Sequence, residues 1–330
     1  MRAHNPLRCV PWRRAATGRR WWVLPVLLLL TGCELTDVEV EPLPDMIVAG
    51  VTVVLTVDPL DPSRVDTRAS ALVTRFRRQW AHEVPGASVR IVGESGQMLP
   101  LAEVSDPLET CVTPLYGFRR PPAGSCHLAA VPGTHFAPGE RLTLTVTLPD
   151  GGILTGESTM PGLFTAADLS LEAGRCRLDP NTGYRFDWAR SAGSWGYIAE
   201  ARFAGLGKLW NGEYPLHLVV TLRGADETEA LFPRDFLLEV SDVQTSDLYR
   251  VLREGLPVGA SAEVAVGAVD RNWANWTRVG RIDNYGEVNI PSVFGDGTGW
   301  FGTAVRWKVE VESRGARDAD LPLCGPAAVD

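Results

Sequence analysis

The sequence predicts an all-β protein made of two antiparallel β-sandwich domains with only minor short helices. Three observations carry this reading. Apolar and polar residues alternate over short runs, most regularly in Arg141-Leu142-Thr143-Leu144-Thr145-Val146-Thr147-Leu148, and a period of two places every second side chain on one face of a strand. Turn-forming clusters such as Gly93-Glu94-Ser95-Gly96 and Pro149-Asp150-Gly151-Gly152 follow these runs closely, which is the punctuation of hairpins rather than of βαβ units. The length of 330 residues exceeds the usual span of one domain, so two are expected.

The first segment is not part of either domain. Residues 1–32 hold six arginines (Arg2, Arg8, Arg13, Arg14, Arg19, Arg20) and no acidic residue, and they end in the apolar run Trp21–Leu30. Ten residues are about half of what a bilayer-spanning helix needs. A basic region, a short apolar core and a small-residue exit make up a cleavable secretory signal. The exit, Leu30-Thr31-Gly32-Cys33, resembles the lipobox of bacterial lipoproteins. That resemblance implies cleavage before Cys33, a diacylglycerol on its sulfur and acylation of the new amino terminus. Glu34 in place of aspartate implies the outer membrane. Residues 33–44, rich in acidic residues and proline, read as a tether. Without the signal, 32 − 6 = 26 basic residues face 40 acidic ones, a net charge near −14. Such a chain is poorly suited to nucleic-acid phosphates. Acyl chains, at about 0.8 kcal/mol per buried methylene, would have to hold it to lipid.

The N-terminal sandwich is expected over 45–163. Met46–Val57, dense in valine and threonine, reads as one strand or a bent pair. The run Asp58-Pro59-Leu60-Asp61-Pro62 breaks it. Strands are expected at Gly86–Val92, Cys126–Val131, Arg141–Leu148 and Ile153–Thr159. The C-terminal sandwich-like domain, 164–330, repeats the style at Tyr197–Phe203, Pro215–Leu222, Phe236–Val240, Ala262–Val269 and Thr303–Val311. Two stretches break the pattern. Asp242–Glu254 reads as a short helix, and Asp270–Val279 sets Trp273 and Trp276 three apart, neighbours on a helical face. Immunoglobulin-like or prealbumin-like sandwiches are the architectures that suit such strands.

Cys9 leaves with the signal and Cys33 is the lipidation site, so Cys111, Cys126, Cys176 and Cys324 remain, with three possible pairings. No CxxC spacing or nearby histidine pair suggests zinc. Cys111–Cys126 and Cys176–Cys324 are preferred, because each pair then lies within one domain.

Several segments together resemble a family. They are the lipobox, the early valine-rich strand, Pro85–Ile91, Pro138-Gly139-Glu140, Gly156–Pro161, Val266–Gly280 and the glycine-rich Asn289–Gly302 with its Phe301-Gly302 pair. The chain resembles an uncharacterised group of outer-membrane lipoproteins common in Bacteroidetes and related phyla, which carry a domain of unknown function and are often encoded beside TonB-dependent receptors. The resemblance implies β-sandwich modules and an accessory role at the membrane, with no catalytic residues to carry over.

Chemistry is sparse. His82, His127, His135 and His217 form no ligand pair at helical spacing, and only His127, His135 and Asp150 could meet across turns. Asp58, Asp61, Asp66 and Asp296 crowd turns where calcium could bind, but without calcium-loop spacing, and aspartate suits turns for its own hydrogen bonds. No GxSxG, Walker or GxGxxG element is present. No metal or other cofactor is expected. Of the eight tryptophans left after cleavage, seven lie beyond residue 180. Trp307, in an alternating strand, reads as core; Trp195 and Trp210, beside glycines, are the candidate binding residues. The expectation is a non-enzymatic surface lipoprotein that binds a ligand or partner, with a TonB-dependent receptor as the candidate partner. Its rivals are a structural spacer of the cell envelope and a hydrolase of polysaccharide or peptide with dispersed carboxylates.

Overall fold

The protein is described by a computed structural model that covers residues 45–77, 80–105, 111, 123–210, 216–219, 223–237, 247–283, 285–315 and 320–325. Valine and threonine at Met46–Val57 form one unbroken strand, β1. The first half continues through β2 (Val65–Arg77), β3 (Trp80–Glu83), β4 (Ser88–Gly93), β5 (Met98–Val104), β6 (Ser125–Pro132), β7 (Arg141–Thr147) and β8 (Ile153–Thr159). The second half adds β9 (Ala166–Ala167), β10 (Arg175–Leu178), β11 (Tyr184–Trp188), β12 (Gly196–Ala204), β13 (Leu216–Val219), β14 (Glu229–Phe232), helix α1 (Asp247–Glu254), β15 (Ser261–Val269), helix α2 (Arg271–Val279), β16 (Val293–Gly295) and β17 (Thr298–Ser313). The fold is all-β, with two short α-helices among the described residues.

The expectation of two sandwiches is corrected: nine strands close into a barrel. Their order is β1-β2-β6-β5-β4-β7-β8-β16-β17, and β17 returns to pair with β1 in parallel, from Val48 with Thr298 to Val57 with Trp307. Alternate residues point inward, among them Val51, Val53, Ala71, Ile91, Leu101, Leu144, Val146, Leu154 and Val305, all buried. Alternation along a strand says which residues face a core. It does not say whether the facing wall is another sheet or the same sheet curled round. The deciding pair joins two strands about 250 residues apart, and a parallel pairing leaves no hairpin signal.

β17 also supplies the second half. Along its other edge it pairs with β15, which continues to β12 and β13, and β10 pairs with its far end. A small sheet, β14-β11-β9, accompanies this extension, and Phe186 of β11 lies 5.8 Å from Trp307 of β17 and 6.1 Å from Phe232 of β14. One buried cluster runs from Val51 and Leu144 in the barrel to Trp307, Phe186 and Phe232. Residues 45–163 therefore do not close a barrel by themselves, and Pro42–Asp330 make one compact unit.

A second core lies on the outer face. Helix α2 lays Trp273 and Trp276 against Trp300 of β17; Trp276 stacks on Trp300 at 5.3 Å, and Trp273 meets it edge-on at 5.7 Å. Val48, Val54, Phe76 and Ile198 are among the other members of this cluster.

Some elements differ from expectation. Strands β2, β5, β10, β11 and β14 carry no clean alternation over enough residues to be read in advance. In β2 the second half is buried on both faces. The expected strand at Phe236–Val240 begins instead as a 3-10 turn, Arg234–Phe236, and 238–240 lie outside the described residues. The expected helix at Asp242–Glu254 is described over Asp247–Glu254; 242–246 lie outside.

Candidate functional site

The site is built where β17 changes partners. On one edge Gly299 pairs with Val293 of β16, and from Ala304 onward the partner is β15. Between them, buried backbone groups still need partners, and side chains supply them. Ser292 Oγ accepts from Phe301 N at 2.8 Å, Asn272 Nδ2 donates to Phe301 O at 2.9 Å, and Asp270 Oδ1 accepts from Thr303 N at 3.2 Å. Asp270 also caps helix α2, accepting from Asn272 N and Trp273 N, and Ser158 of β8 donates to its other oxygen at 2.8 Å. It is 4% exposed. Burial pushes its carboxyl above the ordinary range, against the bonds from Trp273, Ser158, Thr303 and Asn272 that pull it down.

Outside this junction lies an open cleft of about 420 Å³. Arg141 opens it from β7, Glu157 from β8, Arg271 and Asn272 from the start of α2, and Trp195 from the loop before β12. That loop is held from beneath. Ser191 Oγ donates to Gly162 O at 2.6 Å, Tyr197 Oη accepts from Ser191 N at 2.8 Å, and Trp195 N donates to Val269 O at 2.8 Å. The indole of Trp195 is left 50% exposed. A flat apolar wall beside two guanidinium groups and a carboxylate is equipped to recognise a ligand or a protein side chain. The oxygens of Asp270 are occupied by four donors, and no histidine lines the cleft. A second concavity, about 450 Å³, runs beside Arg175, Arg202, Glu263, Lys308 and Glu310. Its charges largely pair with each other: Lys308 with Glu263 at 3.1 Å, Arg175 with Glu310 at 3.6 Å.

The tryptophans divide as their settings in the sequence suggest. Trp188, Trp273, Trp276, Trp300 and Trp307 are buried, whereas Trp195 and Trp210 are 50% and 37% exposed. Trp195 lines the cleft; Trp210, after the turn Gly207–Leu209, does not. Trp80, 71% exposed, was not anticipated, although its polar surroundings in Trp80-Ala-His-Glu could have marked it. Cys111 is joined to Cys126 and Cys176 to Cys324, the preferred combination. The ground for preferring it is replaced, since there are not two sandwiches; Cys176 sits in β10, which pairs with the end of β17. Cys33 lies outside the described residues.

The possible metal sites come apart. His127 is buried inside the barrel, where burial lowers its pKa despite nearby Glu103. His135 Nε2 lies 3.2 Å from Met98 O, and Asp150 pairs with Arg75 at 3.9 Å. Asp66 lies in strand β2, not in a loop. Asp58 and Asp61 accept bonds from Leu60 N and Ser63 N and pair with Arg64; Asp296 accepts from Ile153 N. Among the described residues no three His, Cys, Asp or Glu side chains group to hold a metal, and no helix is long and apolar enough to cross a membrane. No protein-family model matches the chain, and no curated protein is similar to it.

Proposed function

We propose that the chain is a non-enzymatic accessory lipoprotein of a bacterial outer membrane, held there by acylated Cys33, which binds a ligand or partner through the cleft at Trp195 in the service of a TonB-dependent receptor. The observation that carries this reading is the setting of Trp195. It is half-exposed on a pinned loop, beside Arg141, Glu157 and Arg271, and rigidly presented aromatic and arginine side chains dominate binding surfaces. The cleft lies where β7 begins and β8 ends, whereas β1 starts at the opposite end of the barrel. The chain before β1 thus joins the barrel at the end away from the cleft.

The test is capture of partners by the membrane-extracted protein. A β-barrel receptor should co-purify, and Trp195→Ala should weaken its capture about tenfold or more without unfolding the protein. Capture that is unchanged in Trp195→Ala and lost in Trp210→Ala would move the contact to Trp210. Absence of any partner or ligand favours the spacer, and turnover of a polysaccharide or peptide abolished by one carboxylate substitution favours the hydrolase. Cys33→Ser should leave unprocessed precursor or a detached protein; a variant still recovered as processed lipoprotein defeats the anchor.

A further inference from the structure

The strand registers give the barrel two ends. One end carries the start of β1, the end of β2, the hairpin to β3, the β7–β8 turn and the β16–β17 turn. Three large apolar side chains are exposed there: Trp80 at 71%, Phe294 at 57% and Ile153 at 48%. Phe294 and Ile153 lie on adjacent strands, since Phe294 pairs with Thr155. The ion pair of Arg75 with Asp150, 3.9 Å, brings the end of β2 beside the β7–β8 turn. Two carboxylates of this end are ion-paired, Asp45 with Arg77 at 3.7 Å and Asp150 with Arg75. Asp296 accepts from Ile153 N, and Glu83 is exposed. The two pairs set arginine side chains beside the exposed apolar ones.

The same end receives the tether. Asp45 stands beside the β2–β3 hairpin through its pair with Arg77, and eleven residues, 34–44, separate it from Cys33. The twelve steps from Cys33 to Asp45 span at most about 40 Å when fully extended, so lipid at Cys33 keeps this end within that distance of the bilayer. Tryptophan and bulky apolar side chains beside arginine suit the headgroup boundary, where the ring is buried and the polar edge stays wet.

We infer that this end is a membrane-seating surface: Trp80, Phe294 and Ile153 enter the headgroup region of the bilayer that holds the anchor, and so fix the orientation of the barrel. The inference rests on the anchoring of Cys33 proposed above. Brominated phospholipid quenches only indoles that reach the bilayer, and Trp195 and Trp210 lie away from this end. The acylated protein, extracted from membranes and reconstituted into phosphatidylcholine vesicles with and without brominated chains, is the system to measure. Quenching by the brominated chains is expected in the parent protein, should be lost in Trp80→Phe, and should fall by half or more in Phe294→Ser, where Trp80 remains as reporter. Vesicle-bound protein that shows no such quenching, or quenching that survives Trp80→Phe, overturns the seating surface and leaves the anchor standing. Protein that does not float with the vesicles at all overturns the anchor, and the seating surface with it.

Discussion

Glu140 fastens one end of the barrel with a single side chain. One carboxylate oxygen accepts Ser95 N at 2.9 Å and Ser95 Oγ at 2.6 Å, and the other accepts Ala137 N at 2.7 Å. The β4–β5 turn is thereby tied to the loop before β7. Burial pushes the carboxyl up, but the bonds from Ser95 and Ala137, with His135 nearby, outweigh it and hold the pKa below its ordinary 4.5. A depressed folded value means stability present above the unfolded pKa and lost as pH falls through the folded one. Glu140→Gln should cost about 1 kcal/mol at pH 7, and the cost should vanish in acid below the folded value. Urea melts of both proteins along a series from pH 7 into acid check this; a cost that does not fall with pH would show that the charge is not what matters. At this scale the sequence was informative about tryptophans, because glycine-flanked Trp195 and strand-borne Trp307 differ in their immediate neighbours. It was uninformative about Asp270, whose partners Ser158 and Thr303 come from distant strands.

Among the elements, α2 was legible because its two tryptophans are spaced for one face. What the pattern could not reveal is that Asp270 both caps this helix and completes the edge of β17. Asp270→Ala should therefore cost more than an ordinary helix cap. It removes about 1 kcal/mol of capping and strands the Thr303 N–H in a buried site, while Ser158 Oγ falls back on Thr303 Oγ1 at 3.0 Å, for a total of about 2–3 kcal/mol. Glu157→Ala is the control, because β8 bonds Asn272 there through the backbone carbonyl of Glu157. Comparable losses for the two variants in thermal or chemical melts would remove Asp270 from this role. Strands β7 and β8 were legible almost to the residue, since each has one buried and one solvent-facing side. Strand β2, covered on both sides over its second half, had lost that contrast.

For the whole molecule, the sharing of β17 predicts joint unfolding of the two halves. One cooperative transition is expected in calorimetry. Residues 45–163 alone should give no folded core, because β1 and β8 would lose β17 and β16. A sharp thermal transition from that fragment would show that closure is not required. The Cys176–Cys324 bond reinforces the assembly by closing a loop with a sequence separation of 148, which in the chain-entropy model is worth about 5 kcal/mol.

By itself the sequence determined the all-β class, most strand positions and the short helix at α2. It also separated exposed from buried tryptophans. These depend on neighbours within a few residues: alternation, turn chemistry, caps and local polarity. Closure into a barrel, the junction at Asp270, the cleft around Trp195 and the apolar end at Trp80 were decided only in the tertiary structure. Each depends on which distant strands meet, above all the parallel pair of β1 and β17. Such a pairing is stabilised by a core gathered from the entire chain and leaves no local period to read.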